Sequence, residues 1–251
     1  MFMSSLWDSK SLKELDPFIE IHKAGSGDLT NFPMIKALCE TKKPLILSTA
    51  MADIKLIRQT VDFIYSNFPE YKDPSHLALL QCVAMYGDLD DSYANLRAIN
   101  DLKESFPGIT IGYSDHTRGV EASIMSLALG AEIIEAHFTD DKNREFRDHH
   151  LSVDSSELRL LLSAFSRANN FLGENTKNVV KPVESDERIR DFRRGCYLNK
   201  TLEAGVVITE EDLITLRPWS GIAASEFYNI IGNRTNKSIE ELQPIEWEML
   251  D

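Results

Sequence analysis

The sequence predicts an α/β fold built on a parallel sheet, because short apolar runs alternate with amphipathic segments through its first 140 residues. The runs are nearly continuous in apolar residues, which is typical of strands that are buried on both faces of such a sheet. They lie at residues 2–5, 18–21, 44–48, 77–82, 109–113 and 132–137. This alternation of strands and helices is typical of a (β/α) barrel or of a doubly wound sheet.

Apolar residues recur at helical spacing between and after these runs. The four sets are Ile54, Ile57, Val61 and Ile64; Leu96, Ile99 and Leu102; Ile124, Leu127 and Ala128; and Leu158, Leu161, Leu162 and Phe165. A closed barrel of this type needs eight strands, and six are found. We therefore expect either an open sheet of about six strands or a (β/α)8 TIM-type barrel that is N-terminally incomplete.

The composition of the sequence and its apolar periodicity change after Phe171, which indicates a second, smaller domain. Residues 173–192 are polar and charged and predict a linker with some local structure. Residues 193–251 predict a small, mostly β appendage with short β pieces at 196–198 and 206–208, and Thr209 is placed to open a capping box. The predicted domains are thus 1–172, a linker at 173–192, and 193–251.

Charge and cysteine content exclude several classes of function. The 251 residues include 27 Lys and Arg against 40 Asp and Glu, a formal charge of −13, which argues against nucleic acid or an anionic membrane as partner. The N-terminal residues do not resemble a secretory signal. Three widely spaced cysteines fit neither a zinc template nor a disulfide framework and predict reduced thiols in a cytoplasmic protein; Cys82, on an apolar strand, is interpreted as a core residue.

Polar side chains follow five successive candidate strands. In parallel α/β architectures, reactive groups collect at the carboxyl ends of the strands, so these side chains predict one converging site. Lys23 precedes two glycines that flank Ser26, a combination that suits an anion, and Ser48 and Ser114 could add hydroxyl donors. The alternatives, a flexible turn and two helix N-caps, remain open.

His116 and His137 end strands that are one βα unit apart, so adjacent barrel strands would bring their imidazoles together. Two imidazoles completed by water or a carboxylate suit Mn, Fe or Zn. Asp115 or Glu135 could orient an imidazole or hold a water molecule beside the metal. The alternative, two structural histidines, stays open at this point.

Five segments taken together are similar to the sialic acid synthase family, which includes N-acetylneuraminate, legionaminate and related nonulosonate synthases. They are Lys23-Ala-Gly-Ser-Gly-Asp-Leu-Thr-Asn31, Ser48-Thr-Ala-Met51, Gly112-Tyr-Ser-Asp-His-Thr117, Leu129-Gly-Ala-Glu-Ile-Ile-Glu-Ala-His-Phe-Thr139 and Leu216-Arg-Pro-Trp-Ser-Gly-Ile222. The resemblance runs in order along almost the whole chain, and residues 193–251 resemble the family's antifreeze-like (SAF) domain.

The resemblance implies a (β/α)8 barrel joined to that domain. It also implies a transferase that condenses phosphoenolpyruvate with an N-acetylated amino sugar, such as N-acetylmannosamine, and releases phosphate with the help of Mn²⁺ or Mg²⁺. Family members are dimers in which the small domain reaches the partner's barrel, so Arg217 would bind the N-acetyl carbonyl in the neighbouring site.

The remaining roles also come from the resemblance. His116 and His137 would be the metal ligands; Glu135 and Asp115, named above for their positions beside these histidines, complete the predicted catalytic set. Phosphoenolpyruvate would be held by Lys23, Ser26, Ser48 and Ser114, with Ser5 a weaker candidate, and the sugar would be contacted by Asp28, Tyr86 and Asp148.

Several positions depart from the family pattern. The family barrel opens with two βα units that this sequence does not show. In the segment Gln81-Cys-Val-Ala84-Met-Tyr86-Gly87, Ala84 replaces a polar residue that contacts phosphoenolpyruvate in the family. Ala136 replaces a basic residue, and Phe146 and Trp219 each replace a glycine.

Three hypotheses follow. In the first, the chain is a truncated or diverged synthase with little activity alone. In the second, it is a non-catalytic relative that binds a sugar or a metal, or a subunit that needs a partner chain. The third, independent of the resemblance, is a metal-dependent α/β hydrolase or lyase built on His116 and His137.

Overall fold

The computed structural model describes residues 1–86 and 90–251, and the chain divides into two compact units, Met1–Gly173 and Glu174–Asp251. Gly87, the last residue of one strand-end segment quoted above, lies outside the described residues. The first unit confirms the predicted parallel α/β fold. Its five parallel strands are hydrogen-bonded in chain order: β1 (His22–Ala24), β2 (Leu45–Ser48), β3 (Leu77–Cys82), β4 (Thr110–Asp115) and β5 (Ile134–Ala136).

Helices cover the outer face of this sheet. They are α1 (Ser9–Leu15), α2 (Phe32–Cys39), α3 (Ile54–Asn67), α4 (Ala98–Ser105), α5 (Glu121–Ala128) and α6 (Ser155–Leu172). Their apolar faces and every second strand residue form the main core, in which Leu47, Leu79 and Ile111 contact the helical layer. No helix among the described residues has the length and apolarity to cross a membrane.

The helix α3 shows how the sequence sets these elements. The Asp53 side chain accepts a hydrogen bond of 2.8 Å from the backbone N–H of Leu56, which caps the first turn. Ile57, Val61 and Ile64 then lie on one buried stripe, as their spacing predicts. Because the cap follows β2 directly, the loop between them is held at the carboxyl edge of the sheet.

The inner face of the sheet has a much smaller apolar layer, formed by Ile46, Ala78 and Leu80. Gly112 lies on this face, between β3 and the chain leading into β5. A Cβ atom there would lie 2.5 Å from the carbonyl oxygen of Ile133 and 2.5 Å from a methyl carbon of Leu80. This position therefore requires glycine, because the two neighbouring strands leave no room for a side chain.

The sheet curves strongly toward this inner face. Lys23 on β1 and Glu135 on β5 are four inter-strand steps apart in the sheet order, which in a flat sheet would separate them by roughly 19 Å. The Lys23 Nζ and Glu135 Oε1 atoms nevertheless lie 3.3 Å apart. The five strands therefore form an arc whose concave side carries these two residues.

Three predicted strands are wrong in the structure. Residues 2–5 form only one bridge, between Ser5 and Lys23, because Phe2 and its neighbours are exposed. The run at 18–21 follows a 3₁₀ turn, Asp16–Phe18, that Pro17 favours, and the strand begins only at His22. Residues 206–208 contribute one bridge, since their side chains are mostly exposed.

The second unit is small and irregular. It contains α7 (Asp186–Phe192), β6 (Gly195–Leu198), β7 (Leu213–Leu216) and α8 (Phe227–Ile230), with β6 and β7 antiparallel. Its core is formed by Cys196, Leu198, Ile208, Ile239 and Ile245 among others. The capping box predicted at Thr209 is confirmed, since Thr209 and Asp212 cap one 3₁₀ turn reciprocally. The helix α7 falls inside the segment predicted to be a linker.

Candidate functional site

A cavity of about 520 Å³ opens at the carboxyl edge of the sheet. It lies entirely within the first unit and receives side chains from the ends of β1, β2, β3, β4 and β5. The predicted site residues that line it are Ser5, Lys23, Ser26, Asp28, Ser48, Tyr86, Ser114, Asp115, His116, Glu135 and His137. The structure thus brings most of the predicted set together in one place.

The floor of the cavity is organised around the carboxylate of Glu135. The Lys23 ammonium lies 3.3 Å from one carboxylate oxygen, and the Ser48 hydroxyl donates to the other at 3.3 Å. Lys23 is buried and also donates to the backbone carbonyl of Ala24. An ammonium has three donors, so one donor of Lys23 is left for a ligand.

The surroundings of Glu135 keep it ionised. Burial alone would raise the pKa of this carboxyl, but the Lys23 charge and the hydrogen bonds from Ser114, Lys23 and Ser48 lower it. The floor is therefore a charged pair ringed by hydroxyl groups at neutral pH. A second anion would find an open donor there in Lys23, whereas the Ser48 and Ser114 hydroxyls, with one O–H each, would have to turn away from Glu135 to donate to it.

Ser26 joins two of the loops at the cavity. Its hydroxyl oxygen accepts a 3.0 Å hydrogen bond from the backbone N–H of Ala50, which ties the turn after β1 to the loop after β2. Gly25 and Gly27 flank Ser26, and a Cβ atom built at either glycine meets no protein atom within 4 Å. The glycines thus leave open space in the cavity rather than relieving a clash within the protein.

The two imidazoles of His116 and His137 meet above this floor. Their ring centroids are 5.2 Å apart with planes inclined at 64°, and the Tyr86 ring lies 4.8 Å from His116 and 6.4 Å from His137. The Sγ atom of Cys82 lies 3.6 Å from Nδ1 of His116. Cys82 and Tyr86 therefore both contact the His116 ring.

The imidazole pair fits a divalent metal ion. A metal lies about 2.1 Å from an imidazole nitrogen, which puts the centroids of two ligating rings roughly 4.6–5.4 Å apart. Burial, and then the nearby His137, lower the pKa of His116, and the neutral imidazole is the form that binds metals. Within residues 1–86 and 90–251 no group of three or more His, Cys, Asp or Glu could hold a metal, so water or substrate would complete the shell.

Asp115 has a different environment from the other predicted catalytic residues. Its carboxylate accepts hydrogen bonds from the Tyr113 hydroxyl, from the backbone N–H and hydroxyl of Thr117, and from the Ser123 hydroxyl at 2.6–3.2 Å. These contacts hold the end of β4, and with it the backbone that carries His116. The predicted role of Asp115 in orienting an imidazole stays a prediction.

Two predicted substrate contacts do not line the cavity. Asp148 lies in the 3₁₀ turn Arg147–His150, and its backbone carbonyl accepts from the Ser152 hydroxyl. Arg217 belongs to the second unit, where its guanidinium carbon lies 5.7 Å from the centroid of the Phe192 ring. The peptide bond that joins Arg217 to Pro218 is cis.

Sequence reasoning missed three residues of the cavity. Cys82, interpreted as a core residue, is buried, but it faces the cavity beside His116. The alternation along residues 77–82 places Cys82 on the same face as Ala78 and Leu80 and could have revealed this. Trp7 and Met51 also line the cavity, and both side chains are exposed. Met51 is the last residue of the family segment Ser48-Thr-Ala-Met51, which was the available signal, whereas no pattern in the sequence distinguishes Trp7 from an ordinary surface residue.

Comparison with known families agrees with this geometry. The sequence model of the NeuB family matches residues 1–177. The chain belongs to the NeuB family. A SAF domain matches residues 193–251, so the resemblance to sialic acid synthases found from the strand-end segments is confirmed.

Relatives of this NeuB-family chain carry informative names. It is 35% identical over 256 residues to N,N'-diacetyllegionaminic acid synthase of Legionella pneumophila, an alignment that covers 100% of this chain and 69% of the relative. It is 32% identical to the synthase of the same name in Campylobacter jejuni, with 96% and 70% covered. The structure of N-acetylneuraminic acid synthetase from Leptospira borgpetersenii, in complex with citrate, superposes with a TM-score of 0.65 at 31% identity, covering 74% of this chain and 63% of that one.

Proposed function

We propose that this NeuB-family chain is a nonulosonate synthase that condenses phosphoenolpyruvate with an N-acetylated amino sugar and releases phosphate. One observation carries the proposal. A buried Lys23, three serine hydroxyls and a paired set of imidazoles line one cavity, in a family whose named relatives are synthases of this kind. The donors suit a small, highly charged anion, and the imidazoles suit a metal beside it.

Phosphoenolpyruvate would occupy the floor. Lys23 would supply a point charge to the phosphate or carboxylate, and Ser26, whose hydroxyl only accepts within the protein, would supply a hydroxyl donor. Ser48 and Ser114 would donate as well after turning from Glu135 to the anion. The open space beside Gly27 lets an anion approach the backbone. Holding both reactants in one cavity turns their encounter into a unimolecular step.

His116 and His137 would hold Mn²⁺ or Mg²⁺, which would supply Lewis-acid polarisation of the aldehyde oxygen of the sugar. Tyr86 lies against both rings and would contact the sugar together with Asp28. A metal held by the imidazole pair would thus bring the aldehyde above the floor, within reach of phosphoenolpyruvate.

The proposed reaction forms one C–C bond and breaks one C–O bond. Carbon 3 of phosphoenolpyruvate attacks the aldehyde carbon, the C–C bond forms, and positive charge develops at carbon 2. Water adds to carbon 2, and its first proton would pass to the ionised Glu135 carboxylate and on to the former aldehyde oxygen. The C–O bond to phosphate then breaks, phosphate leaves with that electron pair and takes up the second proton of the water, and carbon 2 becomes a ketone.

We also propose that the curved sheet is part of a (β/α)8 barrel and that the chain acts as a homodimer, in which Arg217 of one copy binds the N-acetyl carbonyl at the other. The parallel chain-order pairing and the strong curvature support the barrel. The second candidate, a subunit with little activity until a partner chain completes it, is favoured by the edge at Ser5. Among the described residues this edge has a single bridge, which leaves backbone groups open to another strand.

The test measures phosphate release from phosphoenolpyruvate and N-acetylmannosamine by the pure chain with Mn²⁺. We expect release that requires both substrates, is slow, stops with EDTA, and is lost in His116→Gln and His137→Gln. His76→Gln, a histidine outside the cavity, is the matched control and should not change the rate.

Other outcomes discriminate among the hypotheses. Phosphate release without phosphoenolpyruvate would favour a hydrolase or lyase. Failure to bind phosphoenolpyruvate in calorimetry would refute the synthase. Fast, stoichiometric turnover by the chain alone would exclude the subunit hypothesis.

A further inference from the structure

One imidazole of the pair has a sulfur neighbour that the proposed reaction does not use. The Sγ atom of Cys82 lies 3.6 Å from Nδ1 of His116, and both residues line the cavity. β3 and β4 pair in parallel with Cys82 opposite Ser114, two residues before His116, so the register of the sheet sets this contact. Cys82 is 5% exposed, and close packing leaves its side chain little freedom to turn away.

The contact engages Nδ1 and leaves Nε2 as the nitrogen of His116 that can bind a metal. A neutral imidazole carries its proton on one nitrogen, and the hydrogen bond made by one nitrogen decides whether the other is free to ligate. Histidines that bind metals usually donate their second N–H to an acceptor, which fixes the tautomer and the orientation of the ring. A hydrogen bond from Nδ1–H to the Cys82 sulfur would do this for His116.

Neighbouring groups favour this direction of the hydrogen bond. The hydroxyls of Ser26 and Ser114 lie within hydrogen-bond reach of the Cys82 sulfur, so either oxygen can accept the thiol proton and leave a sulfur lone pair for His116. Burial lowers the pKa of His116 most strongly, and a hydrogen bond with the backbone carbonyl of Ser114 opposes this effect. Because a carbonyl can only accept, the ring must carry an N–H toward it.

The other close neighbours restrain the ring without choosing between its tautomers. The rings of Tyr86 and His137 lie 4.8 and 5.2 Å from the His116 ring, with planes inclined at 65° and 64°. The Asp115 carboxylate accepts hydrogen bonds from residues of β4, of α5 and of the turn between them. Cys82 is thus the side chain that meets a nitrogen of this ring.

We propose that Cys82 is a positioning residue of the metal site: its sulfur accepts a hydrogen bond from Nδ1–H of His116 and so holds the ring in the tautomer whose Nε2 can bind the metal. The inference rests on the proposed function, which places a divalent ion between His116 and His137. Sulfur is a weak acceptor, so we expect a contribution of about tenfold in metal affinity, at the lower end of what such neighbours supply.

The tautomer is measured first, in the metal-free full chain with ¹⁵N-labelled histidine. At about pH 8 the ring is neutral, since the pKa of His116 is lowered from an ordinary value of about 6.5. Nitrogen–proton correlations distinguish the two tautomers, and the signals of His116 are identified by their loss in His116→Gln. We expect Nδ1–H in wild type, a shift toward Nε2–H in Cys82→Ala, and an intermediate result in Cys82→Ser, whose hydroxyl is still an acceptor.

Metal binding is measured next. In calorimetry with Mn²⁺, Cys82→Ala should bind about tenfold more weakly than wild type, with Cys82→Ser between them. Cys39→Ala is the matched control, because Cys39 is 0% exposed and lies in the main core outside the cavity. It should lose stability in urea unfolding and leave both the tautomer and the Mn²⁺ affinity unchanged. With Co²⁺ in place of Mn²⁺, the wild-type spectrum should contain no thiolate-to-cobalt charge-transfer band.

The outcomes separate this inference from the proposed function. Nε2–H in metal-free wild type overturns the inference, a result that does not depend on the folding of any variant. An unchanged tautomer or an unchanged Mn²⁺ affinity in Cys82→Ala also overturns it, and so does a charge-transfer band, since Cys82 would then be a ligand; phosphate release by wild type would leave the synthase standing. If wild type binds no Mn²⁺, both the inference and the metal-dependent synthase fall.

Discussion

The Lys23 ammonium on β1 and the Glu135 carboxylate on β5 form an ion pair of 3.3 Å, although β1 and β5 are at opposite ends of the strand order. The pair exists only because the sheet curves. It places a cation and an anion at the centre of the cavity floor, where Ser48 completes the contacts of Glu135. We therefore expect both the stability of this edge of the sheet and the proposed binding of an anion to depend on Lys23.

Replacing Lys23 by methionine should abolish phosphoenolpyruvate binding and lower the free energy of unfolding at pH 7 by about 1–2 kcal/mol, because Glu135 is left without its cation. The cost is below that of a fully buried pair, since the Glu135 side chain stays 43% exposed. Urea unfolding and calorimetry with phosphoenolpyruvate measure the two effects.

Two controls accompany this variant. Lys23→Met with Glu135→Gln should recover part of the lost stability but none of the binding. The lowered pKa of Glu135 means that its stabilisation is present above its unfolded value of about 4.3 and is lost as pH falls through the lowered folded value. The stability difference between wild type and Lys23→Met should thus shrink below about pH 4.3; a constant difference would contradict the ion-pair explanation.

Gly27→Ala should separate binding from folding. An added methyl group meets no protein atom within 4 Å, so the free energy of unfolding should stay the same or rise by up to about 1 kcal/mol. The methyl group would instead enter the space assigned to the anion. The affinity for phosphoenolpyruvate should fall about tenfold, a loss of roughly 1.4 kcal/mol of binding free energy. Unchanged affinity in calorimetry would place the anion elsewhere.

Met51→Gly should stabilise the protein while lowering its affinity for the sugar. Relief of about 1–2 kcal/mol of left-handed strain outweighs about 0.5–1 kcal/mol of added chain entropy, for a net gain of roughly 0.5 kcal/mol. Lys42 has nearly the same φ, +60°, and lies outside the cavity, so Lys42→Gly is the matched control. Both variants should unfold at higher urea concentration, and only Met51→Gly should lose sugar affinity; a loss in Lys42→Gly as well would indicate a general effect.

Acidification should destabilise the fold through His22. This side chain is fully buried, its Nε2 lies 3.0 Å from Asp16, and its Nδ1 has no hydrogen-bond partner among the residues that the structure describes. Burial lowers the pKa of His22 against the opposing effect of Asp16. Below an unfolded value of about 6.5 the unfolded chain binds the extra proton first, so stability falls with pH, by up to about 1.4 kcal/mol per unit, until the lowered folded value is reached.

The measurement compares urea unfolding between pH 7.5 and 5 in wild type, His22→Gln and His76→Gln. The glutamine amide can keep the contact with Asp16 without titrating, so the pH slope should be shallower in His22→Gln. His76 is partly exposed, and its replacement should leave the slope as in wild type. Equal slopes in all three proteins would refute the role of His22.

Local sequence patterns predicted much of the first unit but failed where tertiary contacts decide. The helical spacing of Ile57, Val61 and Ile64 was enough to predict α3. The polar residues at the strand ends were enough to predict most of the residues that line the cavity. Strand limits near the N-terminus failed, because Pro17 sets a 3₁₀ turn that apolar content does not reveal. The Lys23–Glu135 pair depends on curvature, which no local pattern encodes.

The contact between Cys82 and His116 has a practical consequence. Cys39 and Cys196 are 0% exposed, whereas Cys82 lines the cavity beside His116 and also borders a second pocket with Val83 and Asn95. Burial raises the pKa of its thiol, so a small alkylating reagent should modify this sulfur slowly. A ligand in the cavity would block one of its two approaches, so the part of the modification rate that the ligand suppresses reports occupancy, readable by mass spectrometry without any turnover.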